Sequence, residues 1–190
     1  MNIARNLITN YYTQLTKFIA GISYQEIEKL IDLIVQARQK KNTVYIAGNG
    51  GSAATASHFA TDIGIGSLKS NSHVRAVSLT ESPPKITAIS NDLAYAEIFA
   101  EQLKLFASKG DLLILISASG NSKNLVRAVE VAEIMGLVAF SLTGFDGGKL
   151  KQMTIGRNIH VKTPQGAYGL VEDAHLSICH VITECIRSIK

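Results

Sequence analysis

Tryptophan is absent from the 190 residues, and proline occurs only three times. With so few chain breakers and no polar linker, nothing marks a boundary between domains, so residues 1–190 are expected to form one. A chain of this length can bury about two thirds of its unfolded surface. The two cysteines are too few for a disulfide framework. Cys179 and Cys185 lie on an apolar helical pattern, about 120° apart around its axis, and cannot bridge within it. No run approaches the ~20 apolar residues of a membrane span. Polar residues interrupt the first ten throughout, leaving no continuous apolar core or small-residue cleavage site, so no signal peptide is expected. A reducing cytoplasm is the expected location. One-sided charge is lacking too: 19 Lys and Arg against 15 Asp and Glu leave a net +4. The densest basic cluster, Arg38-Gln39-Lys40-Lys41, closes a helical pattern and complements its C-terminal dipole. Nucleic-acid binding would need a wider basic stripe and is not expected.

What the chain does have is apolar patterning, with 46% hydrophobic residues. Residues 3–22 read as an amphipathic helix through Tyr11, Leu15, Phe18 and Ile19. Ser23-Tyr24-Gln25-Glu26 has the form of a capping box opening a second helix, striped by Ile27, Leu30, Ile31, Ile34 and Val35. These N-terminal helices, 1–40, precede the first strand and are expected to pack on the core or on a partner subunit. Short β-branched runs then predict buried strands at 43–47, 74–79, 111–116, 137–142 and 158–161. Helical patterns separate them at 52–63, 84–90, 95–108 and 122–135, and a last helix covers about 171–189. Alternation of this kind implies an α/β fold: a three-layer αβα sandwich around a five-stranded, mostly parallel sheet.

Two strand ends carry unusual loops. The first strand runs into Gly48-Asn49-Gly50-Gly51-Ser52 and then Ala53-Ala54-Thr55-Ala56. Strand, glycine loop, helix N-terminus presents backbone N–H groups to an anion. Ser52 can cap the helix or donate to a ligand. The dinucleotide fingerprint fails because Ala53 stands where its third glycine would be, and no Gly-Lys-Ser/Thr follows, so a nucleotide cofactor is not expected. Taken alone, this loop is equally well read as a tight turn. The third strand ends in Ser117-Ala118-Ser119-Gly120-Asn121-Ser122, a set of hydroxyl and amide donors with no charge. Ligands of open parallel sheets bind beyond the carboxyl ends of the strands, so the two loops together read as one anion site.

These loops, with His58-Phe59-Ala60, Asn91-Asp92, Leu142-Thr143-Gly144-x-Asp146-Gly147-Gly148, His175 and His180, resemble the SIS (sugar isomerase) domain family, in its phosphoheptose isomerase branch. The resemblance covers nearly the whole chain. It implies a homotetramer with sites at subunit interfaces and the isomerisation of sedoheptulose 7-phosphate to D-glycero-D-manno-heptose 7-phosphate, a precursor of lipopolysaccharide or capsule sugars. It implies that Ser117, Ala118, Ser119 and Ser122 hold the phosphate, and that Asn49, Gly50, Gly51, Ser52, Asn91, Asp92 and Glu172 contact the substrate. It further implies that His58, Asp62, Glu172 and His180 bind zinc, one ion per subunit, or serve as acid and base. An alternative within the family is a non-catalytic platform of the type that associates with the bacterial replication initiator, whose first loop is likewise followed by Ala-Ala. A third reading is an isomerase for another sugar phosphate.

Read as chemistry, His58 and Asp62 share one helix face and can share a metal, or the carboxylate can orient the ring. Aldose–ketose interconversion needs a base that moves a proton between neighbouring carbons through an enediol, and an acid or metal on the carbonyl. The chain departs from the family pattern here. Asp62 stands where the isomerases generally carry Glu, Glu172 where they carry Gln, Gly66 where they carry Arg and Gly169 where they carry Asp. Asp62, His180 and Glu172 are the catalytic candidates, with Glu172 offered as a replacement base. Eight residues separate Glu172 from His180, a rise of ~12 Å, so they meet only if the helix starts after Glu172 or both stretch. His175 is turned ~140° from His180 and is read as structural or interfacial.

Overall fold

The computed structural model describes residues 2–70 and 73–189. Two helices come first, α1 (Asn2–Ala20) and α2 (Tyr24–Gln39). The alternating part follows as β1 (Thr43–Gly48), α3 (Gly51–Ile63), β2 (Arg75–Ser78), α4 (Pro83–Asp92), α5 (Ala100–Phe106), β3 (Leu112–Ser117), α6 (Lys123–Met135), β4 (Val138–Thr143), α7 (Gly148–Met153), β5 (Asn158–His160) and α8 (Tyr168–Ser188). Short 3-10 turns occupy Ile65–Ser70 and Tyr95–Glu97. All four strand pairings are parallel and the order is β2-β1-β3-β4-β5, as the βαβ alternation implies.

Period-2 alternation sends successive strand residues to opposite faces. Val44, Ile46, Leu112, Ile114 and Phe140 meet α2, α3 and α8 through Leu30, Ile34, Phe59, Ile63, Ile178 and Ile182. Tyr45, Ala47, Leu113, Leu115 and Ala139 meet α5, α6 and α7 through Leu103, Leu125, Val129 and Leu150. The sheet is thus the middle of three layers.

Ser23 caps α2 by accepting the Glu26 N–H at 3.4 Å, but the reciprocal half of the box is not made. The Glu26 carboxylate turns to Lys29 instead. The helical pattern at 95–108 breaks in two because the Gln102 amide donates to the Ile98 and Leu79 carbonyls, tying this stretch to the end of β2. The short helix α7 is too polar to show an apolar period. α2 packs on the core, whereas α1 has no buried residue and exposes Ile3, Leu7, Ile8 and Tyr12. Tyr11 ties α1 to α8 by donating to Asp173, which raises the phenol to about 12. No described helix is long and apolar enough to cross a membrane.

Candidate active site

The first loop leaves β1 and enters α3 through Gly50, whose φ of +55° and ψ of −124° suit only glycine. No side chain caps α3, so its first N–H groups remain available. At Gly51 the Glu172 carboxylate of α8 lies against the α-carbon, in space that a side chain at 51 would claim only by displacing it. An anionic group therefore already sits at the positive end of α3.

The second loop leaves β3 and is pinned by backbone bonds from Gly144 to the Ala118 carbonyl (3.0 Å) and from Leu150 to the Gly120 carbonyl (2.9 Å). The Ser117 hydroxyl accepts the Gly120 N–H at 3.0 Å, and Ser119 accepts that of Asn121 at 3.3 Å. Each keeps its own O–H proton to donate. Ser122 is the N-cap residue of α6 but makes no capping bond, which leaves its hydroxyl unspent as well.

The two loops line one cavity of about 180 Å³, with Asn49, Ser52, Ser117, Ala118, Ser119, Ser122 and Glu172 in its wall. Ile116, from the end of the expected strand 111–116, and Tyr168, which no pattern in the sequence marks, complete it. Asn91 and Asp92 end α4, are exposed and bonded to each other at 2.9 Å, and are not among its lining residues.

Farther along the same pair of helices lies a second polar group. His58 Nε2 is 3.2 Å from Asp62 Oδ2 and 3.2 Å from His180 Nε2. The three side chains offer ligand atoms within 4.8 Å of one another. Zinc at its usual ~2.0–2.1 Å from imidazole and carboxylate sets tetrahedral ligand atoms ~3.3 Å apart, so this donor set fits a zinc with one position open. Glu172 lies outside the group. Because α8 begins at Tyr168, Glu172 is helical, and the ~12 Å rise to His180 separates them within one chain.

Contacts of Gly51 with Glu172 and of His58 with His180 show that α3 and α8 run side by side in the same direction. Among the departures from the resemblance, Gly66 packs against the Arg187 guanidinium and Gly169 against the Tyr11 hydroxyl. Glu184 pairs with Arg187 at 2.7 Å. His175 is fully buried and structural, and burial pushes its ring down to about 4.

A model of the SIS domain matches residues 9–144. A phosphoheptose isomerase from Alteromonas mediterranea is 36% identical over 172 residues, covering 90% of this chain and 87% of the relative. The structure of a phosphoheptose isomerase from Neisseria gonorrhoeae superposes with a TM-score of 0.87 at 28% identity, covering 98% of this chain and all of the other. A phosphoheptose isomerase from Francisella tularensis follows with a TM-score of 0.85 at 26% identity, covering 97% of this chain and 98% of the other.

Proposed function

The chain belongs to the SIS domain family, in its phosphoheptose isomerase branch, and from that premise we propose that it is a sugar-phosphate aldose–ketose isomerase. Its substrate in this reading is sedoheptulose 7-phosphate and its product D-glycero-D-manno-heptose 7-phosphate. The non-catalytic platform is not favoured, since relatives 36% and 34% identical to this chain bear an isomerase's name.

The observation that carries the reading is the spacing of two polar groups along α3 and α8. Seven residues separate Gly51, at the loop cavity, from His58, a rise of ~10 Å. An extended heptulose phosphate spans roughly 9 Å from phosphorus to carbonyl carbon, taking ordinary single-bond lengths. With its phosphate among Ser117, Ser119 and Ser122, the substrate brings its carbonyl to His58, Asp62 and His180. There Asp62 takes a proton from C1 and returns it to C2, while His180 handles the protons of the C1 and C2 oxygens through the enediol. Zinc held by His58, Asp62 and His180 would instead supply Lewis-acid polarisation of that carbonyl, taking over from His180 the stabilisation of the oxygens.

Glu172 acts at the phosphate end. It would join the zinc group only as a residue of a neighbouring subunit. The apolar face of α1, exposed in the single chain, suits assembly into a homotetramer. The reading places the enzyme in the cytoplasm, where charge retains phosphorylated sugars. Asn91 and Asp92 reach the substrate only if α4 moves or a neighbouring subunit presents them.

Proton NMR in deuterated water with sedoheptulose 7-phosphate tests the reading: the aldose product should appear carrying solvent deuterium at C2. Folded protein that yields neither exchange nor product refutes it. Glu172→Gln should change KM more than kcat. A hundredfold fall in kcat at constant KM would instead give Glu172 the proton-transfer role.

A further inference from the structure

The first loop is held to the second by an amide clasp that the reaction described above does not use. Asn49 Nδ2 donates to Asn124 Oδ1 at 2.9 Å, and Asn124 Nδ2 donates back to Asn49 Oδ1 at 2.9 Å. The Tyr95 hydroxyl donates to the same Asn49 oxygen, also at 2.9 Å. Asn124 is 1% exposed, in the first turn of α6 directly after the serine loop. Tyr95 reaches in from the 3-10 turn Tyr95–Glu97, which is anchored to α6 by the Glu97–Arg127 ion pair at 3.0 Å.

The bond count decides what Asn49 can offer a ligand. Its carbonyl oxygen has two lone pairs, and both are committed, one to Asn124 and one to Tyr95. Its amide nitrogen has two hydrogens, and only one is committed. Asn49 also lines the cavity it shares with Ser117, Ser119 and Ser122. Toward that cavity it can act only as a donor.

We propose that Tyr95 and Asn124 are positioning residues that lock the Asn49 amide with its N–H toward the cavity, where it donates to an oxygen of the ligand's phosphate. The inference rests on the reading of this cavity as the phosphate seat. Without the clasp the amide turns freely, and half of its orientations aim a carbonyl oxygen at the anion. The clasp thereby selects against ligands that would offer a donor at that point.

A double-mutant cycle tests this, with binding measured by calorimetry using inorganic phosphate and sedoheptulose 7-phosphate as probes. Tyr95→Phe removes one hydroxyl from a half-exposed ring and should weaken both probes about three- to tenfold, the worth of one hydrogen bond. In an Asn49→Ala background the same substitution should change binding less than about twofold, because there is no amide left to orient. Asn124→Asp should behave likewise, and Tyr95→Phe keeps the test open if that buried charge prevents folding. Equal losses from Tyr95→Phe in both backgrounds, or none in either, overturn the proposal. Wild-type protein that binds phosphate but not the heptulose refutes the proposed substrate while leaving the clasp testable on phosphate. Wild-type protein that binds neither overturns both.

Discussion

Replacing His175 by leucine should flatten the acid limb of the protein's stability curve. His175 is fully buried in α8, and neither ring nitrogen has a hydrogen-bond partner among the described residues. Desolvation pushes the ring from 6.5 to about 4, the backbone of Thr143 offsetting a little of that. In the unfolded chain the same ring titrates near 6.5. Between these two values the unfolded state binds more protons than the folded one, so stability falls as pH falls. The full separation corresponds to about 3 kcal/mol, of which about 2.5 kcal/mol is lost between pH 7.5 and pH 4.5. In a chain of this size that amounts to about 5–10 °C in Tm. Leucine has a similar volume and no proton to bind. Urea unfolding at the two pH values, at one fixed protein concentration, should show wild type losing about 2.5 kcal/mol more than His175→Leu. All other groups titrate alike in both proteins and cancel in the difference. Parallel losses, within about 0.5 kcal/mol, would refute the reasoning and mean that His175 is reached by water or finds a partner.

Two further outcomes follow from the site. Gly120→Ala should destabilise by more than about 2 kcal/mol and abolish phosphate binding, because φ at 120 is +64° and an added methyl would overlap the Gly147 carbonyl; thermal unfolding and calorimetry report both. If the proposed zinc site is occupied, His180→Ala should lower the zinc content of the dialysed protein, read by elemental analysis, and lower kcat at least a hundredfold with the fold intact by circular dichroism.

The strands and long helices were legible because each carries its own periodicity: Val44, Ile46 and their neighbours alternate, and α2 stripes. The pairing of the two loops was legible as well, since parallel strands must present their carboxyl ends together. Departures arose where long-range contacts decide. The segment after Tyr95 splits because Gln102 bonds backward to Leu79, a partner 23 residues away. Glu172 settles against Gly51 rather than His58 because it lies inside α8, whose rise holds it ~12 Å from His180. The clasp partners Tyr95 and Asn124 had no signal at all, since a tyrosine after a helix and an asparagine in a first turn are ordinary on the surface. Only the fold shows that Asn124 is buried.

The parallel course of α3 and α8 has a consequence for how specificity could change. The gap between the loop cavity and the His58–His180 pair is set by helical rise, a ruler graduated in steps of ~1.5 Å, and not by any flexible connection. Insertions in the loops can retune what the cavity grips without altering that gap. Altering the gap itself requires adding or removing residues inside a packed helix, which would rotate every later side chain by about 100° and turn His58 and Asp62 together away from His180. Head-group preference can therefore drift by single substitutions, while chain length is held fast by the core.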